Sequence, residues 1–169
     1  MAFNFIELDK TNLPKTKGMR VDGHRFYNIN GTNYPSVTTV LGIRKTEQLK
    51  EWREKIGEKV ANWEMGRAAR RGKSFHTLVE QYLKGETPSI RDVLPLGLFK
   101  LMKPYIDQIN NIHLLEAIMY SPKLTIAGQV DCVAEYNGKL SVIDFKTANK
   151  ERQESWIENY FLQTTAYAH

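Results

Sequence analysis

The spacing of apolar residues changes period along the chain, and each change predicts a change of element. Residues 24–30 and 32–40 read as strands flanking Asn30-Gly31, a dipeptide suited to a type I′ turn, so an N-terminal β-hairpin is expected. Beyond Tyr34-Pro35-Ser36 the spacing lengthens. Leu49, Trp52, Ile56, Val60 and Trp63 recur every three or four residues as one helical stripe, and two tryptophans on a stripe point to core. A second helix is predicted from about Met65 to Leu83, with Ala68, Phe75, Val79 and Tyr82 inward and a stop at Gly85. Helical spacing returns at Phe99, Met102, Ile106 and Ile109, with Pro104 predicting a kink or two short helices. From Leu114 the period becomes two: Leu115, Ala117 and Met119 alternate with Glu116, Ile118 and Tyr120 as far as Ser121-Pro122. Strand patterns at 125–136 and 139–146 follow, joined by Asn137-Gly138, and a last helix is predicted over Glu154 to Ala168.

Composition narrows the class. A chain of 169 residues, 41% of them hydrophobic, fits one globular domain over 1–169. The lone cysteine, Cys132, excludes a disulfide framework, a multi-cysteine zinc site and a Cys-ligated iron-sulfur cluster, which makes a reducing compartment the default. No apolar stretch approaches the roughly 18 residues of a membrane span. The first thirty residues carry Glu7, Asp9 and Asp22 without an apolar h-region, so no signal or transit peptide is read and a cytoplasmic location is expected. The net charge of +5 is unevenly spread. Residues 44–73 hold ten Lys/Arg against five Glu, and the remainder balances at fourteen of each. Such a window suits either a polyanionic partner or a solvated helix face laced with pairs such as Glu51 and Lys55.

The C-terminal strands carry the candidate chemistry. A two-residue turn at Asn137-Gly138 sets Tyr136 opposite Lys139, and the same register places Asp131 opposite Asp144. Two ionised carboxylates about 4.5–5.5 Å apart across a ladder repel each other unless a cation lies between them. Strand alternation sets Lys146 on the face of Asp144, so Asp131, Asp144 and Lys146 converge. Hard carboxylate oxygens suit Mg²⁺ or Mn²⁺, which retain open positions and bind phosphates. A divalent ion beside an ammonium is the chemistry of phosphodiester hydrolysis. The alternative is a surface ion pair of Lys146 with one aspartate, which the apolar neighbours Ile143 and Phe145 disfavour.

Asp131, twelve intervening residues and Asp144-Phe145-Lys146 resemble the D…DxK signature of the PD-(D/E)XK nuclease superfamily, and AGQVDCVAEYNGKLSVIDFKT resembles its RecB-type branch. Tyr34-Pro35-Ser36-Val37-Thr38, GKSFH, DCVAEYNGKL and LQTTAY, in that order, resemble the mitochondrial genome maintenance exonuclease group, whose relatives also occur in phages. The resemblance covers about residues 34–169. It implies an α/β, restriction-endonuclease-like core with a mixed β-sheet flanked by helices. It implies a single-strand-preferring DNA exonuclease acting in replication, repair or recombination, expected here as a monomer and as a phage protein in host cytoplasm.

Residue by residue, the resemblance makes Asp131, Asp144, the Phe145 backbone carbonyl and His76 metal ligands and Lys146 the catalytic lysine. By itself, His76 also reads as a hydrogen-bonded core residue. Glu116 either joins the metal shell or lies exposed on an edge. Gln163 and Tyr167 match the branch's QxxxY helix, which positions DNA, though Tyr167 also suits plain packing. Ser36, Thr38, Arg70, Arg71 and Lys73 are candidate phosphate contacts around the histidine helix. Trp52 or Trp63 offers base stacking if not core. Relatives usually continue past QxxxY with a further strand and helix, which this chain lacks, so a fragment or a non-catalytic nucleic-acid module competes with the exonuclease. An endonuclease of the same superfamily is the third alternative.

Overall fold

A computed structural model describes residues 3–149 and 154–169. The N-terminal hairpin is the second half of an antiparallel meander, β1 (Gly18–Val21), β2 (His24–Ile29) and β3 (Thr32–Pro35). Asn30 and Gly31 both take positive φ, 51° and 82°, as a type I′ turn requires. Asp22-Gly23, at 49° and 79°, makes the same turn one strand earlier, a signal the short polar stretch Gly18–Val21 conceals. The strand expected over 32–40 ends at Pro35. Ser36 caps α1 (Val37–Ile43) by accepting a hydrogen bond from the Thr39 amide at 3.0 Å, and this local bond converts 37–40 into helix.

The tryptophan stripe spans two helices, α2 (Thr46–Ile56) and α3 (Glu58–Leu83), separated by Gly57 at φ 83°. It is not core. Trp63 is 55% exposed with the Arg67 guanidinium 4.7 Å from its ring centroid, and Leu49 and Val60 are exposed as well. The stripe has helical spacing, but α2 buries no residue, so periodicity there does not report burial. Farther along α3, Phe75, Leu78, Val79 and Leu83 are buried against Phe99 and Ile106 of α4 (Val93–Ile106). Each such side chain contributes about 1.5–3 kcal/mol. α4 is one helix, with Pro104 confined to its last turn, where a missing amide interrupts little.

The second sheet is β4 (Ile109–Ser121), β5 (Ile126–Tyr136) and β6 (Lys139–Ile143), antiparallel in that order. Parallel pairing among the described residues is limited to the bridges Phe5–Ile112 and Ser36–Ala127. Tyr136 pairs with Lys139 and Cys132 with Ile143, the register the Asn-Gly turn dictates. β6 ends at Ile143, one residue before Asp144. α5 (Glu154–Ala168) has the predicted bounds.

The alternation of β4 and β5 inverts midway. Leu114, Ala117 and Met119 share a cluster with Val37, Val130, Val133 and Tyr167, whereas Leu115, Cys132 and Ala134 join the cluster under α3 and α4. Residues an odd number apart share a face only where a strand changes phase. Leu115 opposes Cys132 and Ala117 opposes Val130, so both phase changes bracket the pair Glu116 and Asp131. Glu116 takes φ 49°, a conformation that costs a non-glycine residue about 1–3 kcal/mol and recurs at functional sites.

Candidate active site

The middle of β4 and β5, the segment just after β6, the C-terminal half of α3 and the last turns of α5 meet at a cleft of about 560 Å³. His76, Glu116, Asp131, Asp144, Lys146, Gln163 and Tyr167 line it. Every acidic or imidazole group at its centre is held through one atom and presents another. The Phe145 amide donates to Asp131 Oδ2 at 2.7 Å, leaving Oδ1 3.5 Å from His76 Nδ1. Gln129 Nε2 donates to Glu116 Oε2 at 2.6 Å, leaving Oε1 4.0 Å from the same Nδ1. Gln163 Nε2 donates to Asp144 Oδ1 at 2.9 Å, and Oδ2 meets the Lys146 ammonium. His76 bonds the Phe145 carbonyl through Nε2 at 2.7 Å. With that hydrogen on Nε2, the Nδ1 lone pair faces two carboxylate oxygens, a donor set that suits a cation.

Burial, then the charge of Asp131, pushes the Glu116 carboxyl up to about 7, with His76 opposing. Burial likewise raises Asp131, against the pull of His76 and the Phe145 amide. A carboxyl raised on folding favours the fold below its unfolded value and withdraws that support as pH rises through the folded one. The metal-free protein should therefore lose thermal stability between about pH 4.5 and 7 through Glu116. Differential scanning fluorimetry in chelator checks this. A Tm that climbs steadily over the same window would contradict the crowding of these two acids.

His76, Glu116 and Asp131 each offer a ligand atom within 4.8 Å of the others, while the buried Asp144 Oδ2 meets the Lys146 ammonium. Carboxylate oxygens with one imidazole fit a hard or borderline divalent cation.

Residues 44–169 match the PD-(D/E)XK nuclease superfamily. The chain belongs to that superfamily. It is 33% identical to human mitochondrial genome maintenance exonuclease 1 over 147 residues, which cover 79% of this chain and 42% of the relative. The Xenopus tropicalis protein of the same name is 31% identical over 155 residues, covering 82% of this chain and 43% of the relative. The chain thus spans less than half the length of these relatives. PD-(D/E)XK nucleases generally use divalent metals, and the α/β architecture agrees with their restriction-endonuclease-like fold.

Around this cleft, the sequence-selected residues fall into two groups. Asp131, Asp144, Lys146, His76, Glu116, Gln163, Tyr167, Ser36, Thr38 and Lys73 all line the cleft. Ser36 is 2% exposed, and its hydroxyl is taken up by Thr39 and Thr38, so it caps α1. Arg70 and Arg71 do not line the cleft. Arg71 is buried, its guanidinium bonding Thr147 and Asn149 in the segment after Lys146, so it fastens α3 to that segment instead of facing a phosphate. Phe145 contributes two groups, its amide to Asp131 and its carbonyl to His76. Burial pushes the Tyr167 phenol up to about 12, which keeps it neutral beside Gln163. Gly72 and Glu80, which the i,i+4 spacing sets on the helix face of His76, line the cleft with it, whereas Arg25, Gly128 and Gln129 line it and escaped sequence reasoning. Only Gly128 carried a signal, as an isolated glycine within a strand pattern.

Among the described residues, no helix is long and apolar enough to cross a membrane.

Proposed function

We propose that this chain is a Mg²⁺- or Mn²⁺-dependent deoxyribonuclease that degrades single-stranded DNA from an end. The observation that carries the reading is the set of carboxylates, each tied by one oxygen to a neutral N–H: Asp131 and Glu116 present the other oxygen to His76, and Asp144 presents its other oxygen to Lys146. Such pre-organisation avoids reorganisation at the moment of reaction. His76, Asp131 and Asp144, with Glu116, would hold the ion. When bound, a divalent cation there polarises the scissile phosphodiester and makes an attacking water acidic.

The chain's own groups do the rest. Lys146, its side chain 34% exposed, extends from buried Asp144 into the cleft, where its ammonium orients a water or neutralises charge developing on the phosphorus oxygens. Gln163 keeps Asp144 Oδ1 occupied and so directs Oδ2 toward Lys146. Tyr167, a neutral phenol, and exposed Lys73 and Thr38 supply contacts that need no base identity. The cleft has the volume of a drug-sized ligand site, which suits a short stretch of one strand. The relatives' name, with its reference to genome maintenance, supports a role in DNA replication, repair or recombination.

End-labelled linear oligonucleotides and covalently closed single-stranded circles distinguish the alternatives. Linear DNA should be degraded with Mg²⁺ or Mn²⁺, spared in chelator, and the circle left intact. Cutting of the circle would make the protein an endonuclease. Salt-sensitive binding without cleavage in any divalent ion would make it a binding module.

A further inference from the structure

The cleft that holds the carboxylate centre is also lined by cations. Arg25 on β2 is one of them. Its backbone is tied firmly: the Ser36 amide donates to the Arg25 carbonyl at 2.8 Å, and the Arg25 amide donates to Thr39 Oγ1 at 3.0 Å. Its side chain crosses Gly18 on β1, whose absent Cβ would sit 3.3 Å from Arg25 Cδ. Directly opposite on β1 stands Arg20, so two cations face each other across the ladder, a pairing that costs stability without an anion nearby. Arg20 directs its guanidinium to the Gly23 carbonyl at 3.0 Å. The Arg25 guanidinium makes no hydrogen bond or ion pair among the described residues.

Lys73 also lines the cleft, from α3, three residues before His76, exposed and likewise without an ion pair among the described residues. Glu80, an acid of the cleft farther along α3, is engaged by Lys84 at 2.6 Å. Thr38, also exposed on the lining, adds a hydroxyl. A planar guanidinium and an ammonium, both unpaired and held on separate elements around one cleft, match the oxygens of a phosphate.

We propose that Arg25 and Lys73 form a phosphate-binding subsite that holds a nucleic-acid strand by a phosphate other than the scissile one. The subsite rests on the nucleic-acid reading of the cleft and adds a residue that reading does not use. With a divalent cation bound, the carboxylate centre would face the reacting phosphate, while Arg25 and Lys73 take another phosphate of the same strand and so position that strand in the cleft.

The test reads binding, so it does not depend on cleavage. Affinity of fluorescent single-stranded oligonucleotides is measured in chelator over a range of salt for wild type, Arg25→Gln, Arg25→Lys and Lys73→Gln. Matched oligonucleotides carry a 5′-phosphate, a 3′-phosphate or neither. Each Gln variant should weaken binding about tenfold and reduce the magnitude of the slope of log affinity against log salt by about 0.7, the value for one lost single-strand phosphate contact. Arg25→Lys should keep the slope and lose affinity, since it retains charge without the planar fork. Equal effects on all three oligonucleotides assign an internal backbone phosphate, and effects confined to one phosphorylated end assign a terminal phosphate. A slope unchanged in both Gln variants, with Tm preserved, overturns the subsite. An inactive wild type that still shows the slope change would refute the nuclease reading and leave the subsite standing.

Discussion

Replacing Asp131 by Asn should reduce DNA cleavage on the order of 10³-fold while leaving the folded protein at least as stable in chelator. The amide side chain keeps an oxygen for the Phe145 N–H, now 2.7 Å from Oδ2, so the segment after β6 stays in place. What disappears is a charge. Burial and then the charge of Asp131 raise Glu116 to about 7, so removing that charge relieves Glu116 when no cation is bound. A rate loss of that size corresponds to about 4 kcal/mol of transition-state stabilisation. Single-turnover cleavage with Mn²⁺, Tm in chelator and oligonucleotide binding in chelator together separate the effects. Gain of stability with loss of activity is the signature of a carboxylate retained for function. Asp144→Asn should lose activity to a similar extent and also lose stability, because an amide would replace the partner of the Lys146 ammonium in a buried position. Turnover at the wild-type rate in Asp131→Asn would remove that residue from the catalytic centre.

Gly128→Ala should lower Tm by several degrees and slow cleavage, although position 128 bears no functional group. A Cβ there would lie 2.6 Å from both Cε1 and Oη of Tyr167, closer than such contacts occur, so the ring must shift. Tyr167 is 7% exposed and packs with Val37 and Val130, which leaves little room to yield. Overpacking of this kind costs about 1–3 kcal/mol, and for a chain of this size each kcal/mol lowers Tm by about 2–4 °C. Gln163, one turn earlier on α5, would move with the helix and loosen its 2.9 Å hold on Asp144, slowing cleavage by about 10–100-fold. Tyr167→Leu added to Gly128→Ala should restore part of the lost Tm, because the clash is removed, and should leave cleavage slow, because the phenol beside the cleft is gone. A Gly128→Ala protein with unchanged Tm and rate would show that α5 does not depend on this contact.

Several features of the fold are written locally. Asn30-Gly31 and Asn137-Gly138 each demand two residues at positive φ, and that torsional demand sets the strand register on either side. The helix over Glu154–Ala168 follows from spacing alone. Other readings failed where local pattern and tertiary environment part. Leu49, Trp52, Ile56, Val60 and Trp63 repeat as a core helix would, yet α2 buries nothing and Trp63 stands in solvent beside Arg67. Arg71 looks like its neighbour Arg70 in sequence, yet lies buried against Thr147 and Asn149, a pairing 76 and 78 residues distant that no local rule contains.

The sequence by itself determined that Asp131 on β5 and Asp144, one residue past the end of β6, come to the same level, because turn torsions propagate along a ladder without outside help. Only the tertiary structure decided how they are used. The paired inversion at Glu116 and Asp131 requires a strained residue at φ 49°, which packing between two separate clusters can impose and strand propensity cannot. Bringing α3 to that point sets His76 against both carboxylates and the Phe145 carbonyl, and bringing α5 there sets Gln163 on Asp144. These contacts join residues far apart in the chain, and their free energy exists only once the core has closed.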